Sequence, residues 1–89
     1  MKQKKEEKMA EEIMMFTQEE VAKALHCNVI TVTMLREVGI LPAIKTGRNY
    51  MFSRTDLIEF QKNYKGLDVS NRVKAIEAKR IVTNKLIEA

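Results

Sequence analysis

Cysteine, histidine and proline occur once each in this 89-residue chain, tryptophan is absent, and there are only three glycines. A single cysteine excludes an intramolecular disulfide framework. His26 and Cys27 are adjacent, but together they fall short of a tetrahedral zinc ligand set. No stretch approaches the roughly 20 consecutive apolar residues needed to span a bilayer. The opening residues carry charges of both signs and lack an apolar signal segment, so a reduced, cytoplasmic setting is expected. There is no glycine-rich phosphate loop and no serine–histidine–acid set, so neither enzyme activity nor a cofactor is expected.

What is present is charge, and its placement matters more than its sum. Sixteen basic and twelve acidic residues give a net charge of +4. The first sixteen residues balance four lysines against four glutamates. Lys45, Arg48 and Arg54, by contrast, follow one another with no acid between them. That run has the electrostatic footprint of a contact with a phosphate backbone; the plainer alternative is a solvated basic loop. At this length folding buries only roughly 60–65% of the chain's surface, so the core is thin and some apolar residues are available to a partner subunit.

Residues 1–15 read as a charged N-terminal tail or helix, either turning helical toward Glu11 or remaining a disordered solubilising segment. Thr17 and Glu20 have the spacing of a capping box, and Phe16 and Val21 that of a hydrophobic staple, so a helix is predicted from Thr17 to Leu25. Val21, Ala22 and Leu25 face inward on it; Gln18, Glu19 and Lys23 face out. His26, Cys27 and Asn28 form the turn, with Cys27 a small apolar filler rather than a reactive thiol. Asn28 caps a second helix that Gly39 stops, with Val32, Leu35 and Val38 as its inward stripe. Two helices across a tight turn suggest a helix-turn-helix whose second helix is offered to DNA. In a groove, Ile30, Thr33 and Arg36 would meet bases or thymine methyls, with Asn28 and Thr31 nearer phosphates.

Ala43–Lys45 and Tyr50–Phe52 read as two strands around a turn containing Gly47 and Asn49, with Ile44, Tyr50 and Phe52 carrying the packing. Lys45 and Arg48 then sit at the tip of a β-wing, which would lie on the backbone or in the adjacent minor groove. Ser53 and Asp56 begin a third helix, Phe60 is its expected core anchor, and Gly66 ends it. Asp68 or Ser70 is expected to cap a fourth helix from Asn71 to Ala89. Val69, Val73, Ile76 and Ile87 cluster on one of its sides; Ala75, Ala78, Val82 and Leu86 cluster on another. A small domain does not easily cover both, so Val73, Ile76, Val82 and Leu86 are candidate oligomer contacts, against the simpler reading of a helix packed on its own domain.

Phe16–Val32 reads F-T-Q-E-E-V-A-K-A-L-H-C-N-V-I-T-V. It is followed by G-I-L-P at Gly39–Pro42, G-R-N-Y at Gly47–Tyr50 and S-R-T-D-L at Ser53–Leu57. In order and spacing these pieces resemble the MerR-like winged helix-turn-helix domains, especially the short excisionase-type members. The resemblance implies that Asn28 is the turn cap and that Val29, Ile30, Thr33 and Met34 face bases. It implies a phosphate-contacting wing of Arg48 with Tyr50 and Lys45, beside Asn49, and a basic Arg54 at the start of the helix after it. The chain departs from the pattern at His26, where the family has glycine, and at Cys27, where it has valine. It departs again at Val29, Ile30 and Met34, where basic or polar residues are frequent.

The expected architecture is mostly α with a small β-hairpin: a winged helix-turn-helix (MerR-like) over residues 16–66 and a C-terminal helix over 67–89 for possible oligomerisation. The expected function is sequence-dependent binding of double-stranded DNA as a small transcriptional regulator or an excisionase, plasmid or phage accessory factor. The expected partners are duplex DNA, further copies of the chain, and a recombinase or partition protein, with no membrane and a nucleoid- or plasmid-associated cytoplasmic location. The rival expectation is a protein-interaction module that docks on a larger recombinase or partition partner without direct base readout.

Overall fold

Each helix start is set by a hydrogen bond between residues three apart. The computed structural model describes residues 13–88; the expected N-terminal tail or helix lies, up to Glu12, outside them. The order is β1 (Phe16–Thr17), α1 (Gln18–Ala24), α2 (Val29–Val38), β2 (Ile44–Thr46), β3 (Asn49–Phe52), α3 (Arg54–Asn63) and α4 (Arg72–Glu88). The described residues thus form four helices and one three-stranded antiparallel sheet, ordered β1-β3-β2.

The predicted caps form. Thr17 Oγ1 accepts from the Glu20 N–H at 3.1 Å, and the Glu20 carboxylate accepts from the Thr17 N–H at 2.9 Å. Asn28 Oδ1 accepts from the Thr31 N–H at 2.8 Å and from its hydroxyl at 2.9 Å. Ser53 Oγ accepts from the Asp56 N–H at 3.1 Å and donates to its carboxylate at 2.8 Å. Each satisfies backbone donors that a helix start leaves free. For α4 the cap is neither Asp68 nor Ser70 but Asn71, whose Oδ1 accepts from the Lys74 N–H at 2.9 Å. Asp68 is already committed to the Ser70 hydroxyl and N–H. Those bonds, with Lys74 beside them, hold its carboxyl down at about 2.

α2 ends in a Schellman motif. Gly39 adopts φ +93°, its N–H reaches the Arg36 carbonyl, and the Ile40 N–H reaches the Leu35 carbonyl at 2.9 Å. The turn before α2 contains the other left-handed residue of consequence, His26 at φ +55°. A side chain there is strained, because Cβ crowds the following carbonyl. His26→Gly is therefore expected to stabilise the fold by about 0.5–1 kcal/mol, the relief of strain less the extra entropy glycine loses. At this size that raises Tm by about 2–6 °C, measurable by thermal melting.

The wing is a two-residue hairpin. Thr46 pairs with Asn49, so Gly47 and Arg48 make the turn. Gly47 is at φ +85°, whereas Arg48 and Asn49 are not left-handed, which is the pattern of a type II′ turn. The register pairs Ile44 with Met51 and Phe16 with Phe52. Side chains alternate across a strand, so Phe52 and Tyr50 share the core face and Ile44 falls on the other, 58% exposed. Ile44 therefore does not carry the packing expected of it.

The core joins Val21 and Ala22 of α1, Val32, Met34 and Leu35 of α2, Ile40 and Leu41 after it, Phe52, Leu57 and Ala75. Phe60 is only half-buried and stacks on Tyr64 at 5.4 Å, so the central aromatic residue is Phe52, not Phe60. α4 turns its small residues Ala75 and Ala78 inward, together with Val82. Val82, expected among the oligomer contacts, is 7% exposed and packs within its own chain, whereas Val73, Ile76 and Leu86 stay exposed.

Candidate nucleic-acid interface

Side-chain contacts join α1 to α2 and α2 to the wing along one surface. Gln18 Nε2, on the first residue of α1, donates to Thr33 Oγ1 in the middle of α2 at 3.0 Å. The Arg36 guanidinium lies over the Tyr50 ring at 3.7 Å from its centroid, and Lys45 Nζ is 5.7 Å from the same ring. Tyr50 is thus shared by a cation from the helix and a cation from the wing, both drawn to the negative face of the ring. Arg36 Nε is buried in this contact and finds no hydrogen-bond partner among the described residues.

Ten of the twelve sequence-predicted residues fall into three groups. Thr33, Arg36, Lys45 and Tyr50 are brought together by these contacts. Arg48 and Asn49 continue the same surface, lining with Thr17, Gln18, Glu19 and Tyr50 a polar cleft of about 340 Å³ between α1 and the wing. Asn28, Val29, Ile30 and Thr31 form the first turn of α2, where Asn28 and Thr31 are engaged in the cap and Ile30 stands 79% exposed. Met34 belongs to none of these. It is 9% exposed and part of the core, so it is unavailable to bases; on the helix surface it adjoins Val38 and Leu35, and packing extends the buried side to include it. Arg54, at the start of α3, lies with its guanidinium 5.7 Å from the Phe16 ring.

Gln18 and Glu19 line this candidate surface, and the sequence pattern did not point to them. Gln18 was expected to face solvent, and its partner Thr33 is fifteen residues away, so no local spacing signals the bond. Another hollow, of about 570 Å³, lies between the α1–α2 turn and the α3–α4 connection. Its walls are mainly apolar, from Leu25, Cys27, Leu35, Phe60, Leu67 and Val69. Burial pushes the Cys27 thiol up, so little thiolate exists at neutral pH and the apolar-filler reading holds. No group of three or more His, Cys, Asp or Glu that could hold a metal ion occurs among the described residues, and none of their helices is long and apolar enough to cross a membrane.

Two helices across a tight turn, a type II′ hairpin and a sheet completed by the strand before α1 define a winged helix-turn-helix protein. Comparison with known families agrees: residues 15–65 match the helix-turn-helix domain family, and the chain belongs to it. That family is of the excisionase and MerR-like type, and membership implies DNA binding by a domain that is typically non-enzymatic. No curated protein and no solved structure matched the chain.

Proposed function

We propose that the chain binds double-stranded DNA with α2 in the major groove and the β2–β3 wing on the flanking backbone or minor groove. In this reading it serves as a small transcriptional regulator or an excisionase-like, plasmid or phage accessory factor. The observation that carries the reading is the Arg36–Tyr50–Lys45 stack, which ties the reading helix to a wing whose tip holds only basic charge. Such a tie fixes the distance between two DNA-contacting elements before binding, so little ordering entropy is spent on contact. Lys45 and Arg48 supply phosphate contacts, Thr33 and Ile30 face base edges and thymine methyls, and Arg36 keeps helix and wing in register. Several copies side by side on one site would add the affinity that an apolar helix face lacks, with exposed Val73, Ile76 and Leu86 as the surface between them.

Arg48→Ala tests the reading. Binding to any duplex is expected to weaken, with the slope of log K against log salt shallower by about 0.9, the signature of one lost phosphate contact. A footprint on DNA from the chain's own locus reports copy number through the length protected. The exposed Ile30 favours one other reading, a module that docks on a larger protein partner. Absence of duplex binding at low salt in the wild-type chain would select it.

A further inference from the structure

We propose that α4, which lies beyond the matched residues 15–65, sets the position of the reading helix, and that Lys79 is the positioning residue. This rests on the DNA-binding reading of α2. Two contacts and one close approach from α4 fall on Glu37 and Val38 at the end of α2 and on Gly39, which caps it. Arg72 pairs with Glu37 at 2.7 Å. Lys79 Nζ donates to the Val38 carbonyl at 3.0 Å. A Cβ added to Gly39 would stand 2.7 Å from Lys79 Nζ.

The middle contact is the informative one. A helix end leaves carbonyls without intrahelical donors, and the Schellman turn at Gly39 uses those of Leu35 and Arg36. The Val38 carbonyl is taken by Lys79 instead, and a cation there also meets the negative end of the helix dipole. Lys79 is half-buried and reaches this carbonyl because Ala75 and Ala78 are small enough for the α4 backbone to lie close. Gly39 is constrained by its φ of +93°, and the Lys79 ammonium lies beside it. Arg36, in the same last turn, is held by Tyr50 of the wing. The end of the reading helix is therefore gripped from both sides, by the wing through Arg36 and by α4 through Lys79. Tilting α2 about that end would swing Ile30 and Thr33 across the base edges, so affinity depends on a residue that does not touch DNA.

The test uses the full chain with Lys79→Met and Lys79→Arg. Lys79→Met is expected to weaken duplex binding by about tenfold, the scale of one charge-assisted hydrogen bond. The salt slope should stay at the wild-type value, the Gly39 and Ile40 amides should exchange faster, and Lys79→Arg should restore most of both. A salt slope shallower by about 0.9 would make Lys79 a phosphate contact and overturn the proposal. So would wild-type affinity together with wild-type amide exchange. Exchange is read without DNA, so a wild-type chain that binds no duplex would overturn the DNA reading while exchange still decides the role of Lys79. Should Lys79→Met unfold the chain, Arg72→Ala on the exposed pair must speed the same amides; unchanged exchange there would overturn the proposal.

Discussion

Raising the salt from about 50 to 200 mM is expected to weaken duplex binding by about 10²–10³-fold. The figure follows from counterion release. The wing presents Lys45 and Arg48 exposed, Arg54 begins the next helix, and the first turn of α2 adds backbone donors beside Asn28 and Thr31. If these neutralise about four to six phosphates per copy, log K falls with log salt at a slope of roughly −4 to −5. A fourfold rise in salt then removes most of the affinity. Fluorescence anisotropy on a short labelled duplex over a salt series measures the slope directly, and a flat line would remove the DNA reading.

In the proposed reading the same balance makes the wing outweigh the helix in affinity. The outer side of α2 offers Val29 and Ile30, which can touch thymine methyls but neutralise nothing. Its polar residues are partly spent within the fold, Thr33 on Gln18 and Arg36 on Tyr50. Spending them has a return. Their rotamers are fixed before DNA arrives, so the contacts they still make cost less entropy. On this proposal phosphate contacts from the wing supply the strength, and a rigid, mostly apolar helix face supplies a limited base preference.

Much of this was legible in the sequence wherever cause and effect lie within a few residues. Thr17 with Glu20, Asn28 before α2, Gly39 after it, and Ser53 with Asp56 each act across one helical turn, so composition at fixed spacing is enough. The turn at Gly47 is local in the same sense. The strand β1 was not legible, because two residues are too few to show alternation and its partner β3 lies thirty-five residues on. Ile44 was assigned to the core because it is apolar, but facing is decided by register, and pairing with Met51 puts it outside. Met34 was placed facing bases by the family resemblance alone, and Val82 belonged to a helix with apolar residues on more than one side; in both cases only tertiary packing selects which side is buried. Gln18–Thr33, Arg36–Tyr50 and Lys79–Val38 join residues far apart in the chain, and no pattern in the sequence marks them.

Phe52→Ala is expected to destabilise the fold by about 3–5 kcal/mol, the cost of truncating a fully buried aromatic side chain. The whole domain is stable by only about 4–13 kcal/mol at this length, so the variant stands near or past its unfolding threshold at 37 °C. Phe52 is 0% exposed and is the largest fully buried side chain among the described residues. Its backbone pairs with Phe16 of β1, its side chain lies in the cluster with Val21, Val32, Leu35 and Leu41, and Ser53 beside it caps α3. Removing the ring opens a cavity where the wing, the helix-turn-helix and α3 converge. The control is Ile44→Ala on the same sheet. Ile44 faces away from the core, so its loss should cost less than about 1 kcal/mol although it removes a side chain of similar apolar size. Urea unfolding followed by circular dichroism compares the two, and equal costs would overturn the assignment of sheet faces. The outcome also bears on function, because a chain that loses Phe52 loses the anchor of β3. The Arg36–Tyr50 contact then has nothing to hold the wing at the distance the reading helix needs.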